Sequence, residues 1–112
     1  MDEGLGDRLF EFAIGVIKYL SSLPNAPEAK VIRYQLAKAS SSSGANYEEV
    51  QAASSKADFS NKMKIVLREM RESNYWIRIC VRLKFGDQNE LIKLNKESDE
   101  LKKILGSICS KI

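Results

Sequence analysis

Hydrophobic residues recur every three or four positions along most of the chain, which is the period of an α-helix. The first such stretch runs from about Asp7 to Ser22, with Asp7 as the expected N-cap. Its apolar positions share one side of the predicted helix: Leu9, Phe12, Val16 and Leu20. The segment "LPNAP" holds both prolines of the chain and cannot continue a helix. The pattern therefore predicts a break there and a second helix that begins near Pro27-Glu28.

The segment "QLAKASSSSGANYEEV", residues 35–50, changes the composition of the second helix but not its period. Four serines followed by Gly44 are typical of a flexible linker, and both residue types have low helix propensity. One helical stripe nevertheless runs through them: Ile32, Leu36, Ala39, Ser43, Asn46 and Val50. The period favours a segment of small residues inside one long helix. A kink or loop that divides this helix is the alternative.

Two further stretches with a helical period follow. The third helix is predicted from about Asp58, its expected N-cap, to Lys84, with Gly86 at the C-cap position. Its core stripe is Phe59, Met63, Val66, Met70, Ser73, Ile77 and Cys80. The fourth helix runs from about Gln88 to the C-terminus. It keeps a seven-residue repeat: Leu91, Leu94, Ser98, Leu101, Leu105, Ile108 and Ile112.

Four helices with short connections predict an all-α fold, an antiparallel up-down four-helix bundle. A length of 112 residues suggests that residues 1–112 form a single domain. No apolar run approaches 18 residues and no charged-then-apolar leader is present, so we expect no membrane span and no export signal. We therefore expect a cytoplasmic protein, in which the two distant cysteines, Cys80 and Cys109, stay reduced.

Positive charge is concentrated on the predicted third helix. The chain has a net charge of +3, whereas residues 55–84 alone carry eight basic and three acidic residues. Five cations and one tyrosine follow steps of four and three residues, which places them on one helical face. We call this set the basic row: Lys64, Arg68, Arg71, Tyr75, Arg78 and Arg82. Like charges at this spacing repel each other, so the basic row requires counter-charges.

Two sources of counter-charge remain open for the basic row. Nucleic-acid phosphates are one, since arginine binds phosphate bidentately and Tyr75 offers a stacking surface for a base. Acidic residues are the other, supplied by the fourth helix or by a neighbouring subunit. The candidates on the fourth helix are Glu97, Asp99 and Glu100.

The residue inventory disfavours the commonest enzyme and metal chemistries. The chain has no histidine, which removes the usual general base, the Ser-His and Cys-His pairs, and the Glu-x-x-His ligands of bundle di-metal sites. Four glutamates could in principle meet across the bundle: Glu48, Glu49, Glu69 and Glu72. Pairing of Glu69 and Glu72 with neighbouring basic residues explains them better. We therefore predict no enzymatic activity, no cofactor and no metal.

The first and third helices carry more apolar residues than one core-facing stripe requires. Beside the core positions lie Phe10, Ile14 and Ile17 on the first helix and Ile65, Trp76, Ile79 and Leu83 on the third. A helix that is apolar on two sides has something to bury on both. This pattern favours self-association, with a broad core face on long helices as the alternative.

Several short motifs follow one another in a characteristic order. They are a proline-containing break, Gln35-Leu36 with a small-residue run, Ala45-Asn46 with Glu49, "K-x-D-F" from Lys56 to Phe59, and Glu72 ahead of Tyr75-Trp76. In this order and spacing the chain resembles the four-helix-bundle proteins named for intervening sequences in 23S ribosomal RNA genes. It also resembles their relatives, the accessory variability determinants of diversity-generating retroelements. It departs from their pattern at Val50, where glycine is usual, and at Tyr47, where an aliphatic residue is usual.

The resemblance implies an antiparallel bundle that assembles as a homopentamer around a central pore. The retroelement relatives bind nucleic acid and a reverse transcriptase, so it implies RNA or DNA, and a protein of that kind, as partners. It also implies structural roles for Asn46, Glu49 and Glu72. Because Asn46 and Glu49 lie three residues apart on one helical face, we expect them to form a hydrogen-bonded pair that reaches a neighbouring helix. We expect a non-enzymatic oligomeric adaptor that binds nucleic acid through the basic row. The alternative is a protein-interaction scaffold that neutralises the basic row at subunit contacts.

Overall fold

Four α-helices form the part of the chain that the computed structural model describes, residues 3–112. They are α1 (Glu3–Leu20), α2 (Pro27–Val50), α3 (Lys56–Leu83) and α4 (Gln88–Ser110). Each helix packs on the next one in the chain, and α1 also contacts α4. The predicted all-α, four-helix fold is confirmed, and these contacts are compatible with the up-down order. No helix among these residues is long and apolar enough to cross a membrane.

The helix α2 continues without interruption through the serine run, as the hydrophobic period predicted. Ser43 is fully buried, and its hydroxyl donates a hydrogen bond to the backbone oxygen of Val66 in α3, at 2.9 Å. A Cβ placed on Gly44 would lie 3.6 Å from the backbone oxygen of Leu9 in α1. Small residues in this segment therefore let α2 approach both α1 and α3 closely.

The close approach at Gly44 leads to a stability prediction. We expect Gly44→Leu to destabilise the protein by roughly 1–3 kcal/mol, because the Cβ is already in contact with the α1 backbone and the atoms beyond it have to be accommodated between α1 and α2. Gly106 in α4 is the matched control, since a Cβ there meets no atom within 4 Å. Urea unfolding of both variants tests this expectation. A Gly44→Leu variant as stable as Gly106→Leu would contradict it.

Most positions predicted for the core are buried. In α1, all four predicted residues, from Leu9 to Leu20, are buried, and in α3 only Phe59 is partly exposed. The seven-residue repeat of α4 is buried from Leu91 to Leu105, whereas Ile112 lies beyond the end of the helix and is half exposed. The core also includes five polar residues: Ser40, Ser43, Ser73, Asn74 and Ser98.

Two helix starts differ from the sequence prediction. The helix α1 already begins at Glu3, so Asp7 lies inside it and is not an N-cap. The N-cap of α3 is Ser55 and not Asp58, because the Ser55 hydroxyl accepts a hydrogen bond from the Asp58 backbone nitrogen at 3.0 Å. Asp58 instead accepts from the Ser54 backbone nitrogen at 2.9 Å and pairs with Lys62 at 2.8 Å. Ser55 and Asp58 thus each accept a hydrogen bond from a backbone nitrogen at the start of α3 that has no partner within the helix.

The end of α3 also differs from the prediction. Lys84, and not Gly86, takes the left-handed C-cap position, with φ 56°. The backbone nitrogen of Phe85 reaches back to the oxygen of Cys80 at 3.0 Å, which is the hydrogen bond of a Schellman ending. Gly86 also has a positive φ, 77°, but it lies in the connection to α4.

The carboxylate of Asp58 makes the start of α3 sensitive to acid. The ion pair with Lys62, with the hydrogen bond from Ser54, lowers the pKa of Asp58 below its ordinary value. A lowered pKa in the folded state adds stability above the unfolded pKa, and this stability is lost as the pH falls through the folded pKa. We expect Asp58→Asn to lower the melting temperature at pH 7 and to have little effect near pH 2. A difference in melting temperature that is the same at both pH values would contradict this account.

Candidate functional site

The basic row follows the exposed face of α3 as predicted from its spacing. All six residues are exposed to solvent, and Tyr75 is 52% exposed. From Lys64 to Arg82 the row extends about 27 Å at the helical rise of 1.5 Å per residue. The structure therefore brings the predicted residues together on one accessible surface.

The acidic residues of α4 do not neutralise the basic row within the chain. Glu97 accepts hydrogen bonds from Nε and Nη2 of Arg8 in α1, at 3.0 and 2.7 Å. Glu100 accepts a further one from Nη2 of Arg8 at 3.0 Å. These carboxylates raise the pKa of Arg8 and tie α1 to α4. The expectation that they pair with the basic row inside one chain is wrong, because they face α1.

The third acidic candidate, Asp99, pairs along its own helix. Its carboxylate lies 3.2 Å from Nζ of Lys103 and 3.6 Å from Nζ of Lys102. Lys103 is the main cause of a lowered pKa of Asp99. Counter-charges for the basic row from a neighbouring subunit remain a prediction that a single chain does not test.

Four of the five cations in the basic row form no ion pair in the part of the chain that the structure describes. They are Lys64, Arg71, Arg78 and Arg82. Arg68 lies 3.7 Å from the neighbouring Glu69, with its own side chain 70% exposed, so this pair contributes little. Among the described residues, these four exposed cations therefore have no counter-charge within ion-pair distance.

One cation of the basic row, Arg78, is held by the buried side chain of Asn74. Nε of Arg78 donates to Oδ1 of Asn74 at 3.0 Å, and the guanidinium carbon lies 5.8 Å from the ring centre of Tyr75. Nζ of Lys102, in α4, donates to the same oxygen of Asn74 at 3.1 Å. The basic surface thus extends from α3 onto α4, which the sequence analysis missed. Ser98 was the available signal, because a serine in a repeat of leucines requires a polar partner such as Asn74.

Of the three residues assigned structural roles, Asn46 and Glu72 make contacts within their own helices. Nδ2 of Asn46 donates to the backbone oxygen and hydroxyl of Ser42, one turn back in α2, at 2.8 and 3.1 Å. This hydrogen bond stays within α2, and so it is not the predicted link from Asn46 through Glu49 to a neighbouring helix. Glu49 is exposed. Glu72 accepts a hydrogen bond from Nε1 of Trp76 at 3.4 Å, also within one helix.

Of the four glutamates considered for acid-base chemistry, Glu49 is exposed and the other three have different neighbours. Glu48 borders a groove between α1 and α2, Glu69 neighbours Arg68, and Glu72 contacts Trp76. Within residues 3–112, no three Asp, Glu or Cys side chains come together in an arrangement that could hold a metal ion. Nothing in this arrangement indicates catalysis.

The apolar residues beside the core stripes of α1 and α3 differ in burial. On α3, Trp76 and Ile79 pack against the core, as expected for a broad core face, whereas Leu83 is 51% exposed. On α1, Phe10 and Ile17 are 62% and 52% exposed. With Ile14 they border a groove between α1 and α2, about 460 Å³ in volume, whose other wall includes small residues of the serine segment. We call this surface the apolar groove.

Comparison with known proteins agrees with this fold. A family model described as 23S rRNA-intervening sequence protein matches residues 7–107. A crystal structure of a protein of unknown function from the S23 ribosomal protein family of Bacteroides thetaiotaomicron is similar, with 32% identity and a TM-score of 0.83. The match covers 94% of this chain and 97% of that one. No curated protein matches significantly. The chain belongs to the 23S rRNA-intervening sequence protein family.

Proposed function

We propose that this protein is a non-enzymatic helical-bundle adaptor that binds nucleic acid through the basic row. The observation that carries the proposal is the set of uncompensated cations along about 27 Å of α3. Duplex DNA carries one negative charge per roughly 1.7 Å of its axis, so a linear row of cations neutralises several phosphates at once. The gain in free energy comes largely from release of the counterions that those phosphates had condensed.

The residue types of the basic row suit phosphate as a ligand. Four of the five cations are arginines, whose planar guanidinium binds a phosphate through two parallel hydrogen bonds. Tyr75 is exposed in the middle of the row and offers a face on which an unpaired base stacks. A surface of this kind binds structured RNA and duplex DNA through their backbones, with little dependence on sequence.

Direct binding tests this proposal. Fluorescence anisotropy with a labelled structured RNA and a labelled duplex DNA, at low salt, is expected to show saturable binding. Absence of binding to both would contradict the proposal and leave the alternative, a protein-interaction scaffold whose basic row is covered by a neighbouring subunit.

We further propose that the chain self-associates through the apolar groove, as a pentamer in the cytoplasm. Two half-exposed apolar side chains on one helix, Phe10 and Ile17, support an interface, because burial of each would stabilise an assembly by roughly 1–2 kcal/mol. The small residues of α2 across the groove let a second helix approach closely. Both cysteines, Cys80 and Cys109, are free thiols, which suits a reducing compartment.

A further inference from the structure

A buried amide lies directly beneath the basic row. Asn74 is only 1% exposed and sits between α3 and α4. Its Nδ2 donates to the hydroxyl of Ser98 at 2.9 Å, and its Oδ1 accepts from both Arg78 and Lys102. An apolar residue at this position would pack without any need for partners. The amide is therefore not needed for packing alone. Its oxygen holds two cations from different helices, Arg78 of α3 and Lys102 of α4.

The two cations are brought close together, and of the two only Lys102 has an ion-pair partner among the described residues. Each nitrogen lies about 3 Å from the same oxygen of Asn74, so Nε of Arg78 and Nζ of Lys102 are within about 6 Å of each other. A neutral carbonyl oxygen accepts both hydrogen bonds but does not cancel two positive charges. Asp99 is the carboxylate nearest to Lys102, at 3.6 Å, and it lies closer to Lys103.

The guanidinium of Arg78 is oriented before any ligand arrives. Its Nε is used by Asn74, and its carbon lies beside the ring of Tyr75. Both Nη groups remain as donors, since the described residues offer Arg78 no ion pair. A side chain already fixed in this way loses little conformational entropy when it binds a ligand. Two converging cations with outward donors suit an oxyanion.

We propose that Arg78 and Lys102 form a phosphate subsite, positioned by Asn74, that seats one backbone phosphate of a bound nucleic acid. This inference rests on the proposed function and assigns part of the interface to α4. Arg78 contributes the bidentate fork, Lys102 a second charge, and the pair Asn74–Ser98 sets the distance between them. The phosphate supplies a counter-charge to Arg78, which has no ion pair among the described residues, and adds to the one that Lys102 shares with Lys103 at Asp99.

Neutralisation of Lys102, compared with its neighbour, tests the subsite. Lys102→Gln is expected to weaken nucleic-acid binding roughly five- to tenfold at 0.1 M salt and to reduce the slope of log K against log salt by roughly 0.9. Lys103→Gln removes the same charge from the same helix and the same carboxylate partner, Asp99, and is expected to leave both quantities nearly unchanged. Equal effects of the two substitutions would overturn the subsite while the proposed function stands.

A substitution at Asn74 tests its positioning role. Asn74→Asp preserves shape and supplies an internal carboxylate to Arg78 and Lys102, so the fold is expected to persist. The salt slope is expected to fall by roughly one, because this carboxylate now occupies the place of the phosphate. A residue with a purely structural role would change the unfolding temperature and leave the slope as it was, and that result would overturn the role of Asn74.

A titration with inorganic phosphate separates the subsite from the proposed function if the wild-type protein does not bind nucleic acid. The probe is the 15N–1H resonance of Nε in Arg78. A saturating shift with phosphate that is absent in Lys102→Gln would support the subsite and show that the proposed function alone had failed. If phosphate causes no shift either, the subsite is overturned together with the proposed function.

Discussion

Reversal of two charges in the basic row is expected to abolish nucleic-acid binding without unfolding the bundle. In a variant with Arg71→Glu and Arg78→Glu, two phosphate contacts are lost and two repulsive charges are introduced. Loss of two contacts alone corresponds to roughly fiftyfold weaker binding at 0.1 M salt, and the repulsion adds to it. Both side chains are exposed and form no ion pair in the described chain, so the melting temperature should change by only a few degrees. Fluorescence anisotropy and thermal unfolding measure the two effects.

A charge-matched control separates the basic row from net charge. Lys93 and Lys96 are exposed residues of α4, and Lys93 borders the groove between α1 and α4. Reversal of both to glutamate changes the net charge by the same amount and should weaken binding far less. Unchanged binding of the Arg71→Glu, Arg78→Glu variant would contradict the proposed interface. Dissociation of that variant into monomers would instead support the scaffold alternative, in which neighbouring subunits neutralise the row.

Placement of charge in the apolar groove is expected to convert the assembled protein into monomers. Phe10→Asp with Ile17→Asp replaces two half-exposed apolar side chains by carboxylates that an interface cannot bury without partners. The desolvation cost, together with the lost apolar burial, exceeds several kcal/mol for each interface. Light scattering after size-exclusion chromatography should show the mass fall from five times 12.6 kDa to 12.6 kDa.

An exposed apolar residue outside the apolar groove provides the control for this experiment. Ile92 in α4 is 68% exposed, more than either groove residue, and does not border the groove. Ile92→Asp should therefore leave the assembled mass unchanged. Dissociation by Ile92→Asp but not by the groove variant would place the interface on α4. A wild-type protein with a mass of 12.6 kDa would contradict self-association.

The helices and their core faces were predictable because apolar residues at helical spacing mark the side of each helix that is buried. The serine run shows the strength of this signal. Propensity alone favoured a linker, yet Ser43 is buried at a stripe position and hydrogen-bonded to α3. The phase of the pattern therefore outweighed the low helix propensity of four serines and Gly44, since tertiary packing stabilises a helix more than propensity does.

The helix ends were less predictable because several residues near each end satisfy the same chemistry. Asp58 and Ser55 are both good N-caps, and the backbone path decides which hydroxyl or carboxylate reaches the free backbone nitrogen. At the other end of α3, Lys84 adopts the left-handed conformation although Gly86, two residues on, does so at lower cost. Because Phe85 packs against the core, the helix ends two residues earlier, at Lys84.

The spacing of the basic row predicted that its residues share one surface of α3. It could not predict which residues of other helices contact that surface. A one-helix pattern does not show which residue of α4 lies beside Arg78, so Lys102 was missed. For the same reason the sequence left open whether the acidic residues of α4 pair with the basic row, whereas Glu97 and Glu100 face Arg8 in α1. Side-chain direction across two antiparallel helices depends on their register, which the periods of the separate helices leave open.

The most direct test of the central claim is the salt dependence of nucleic-acid affinity for the wild-type protein. If the basic row lies on the phosphates, log K should fall linearly with log salt on duplex DNA, with a slope of roughly −0.9 for each phosphate neutralised. The four uncompensated cations of the row, together with Lys102, predict a steep slope, between about −3 and −5. A slope near zero, or no binding at low salt, would contradict the account.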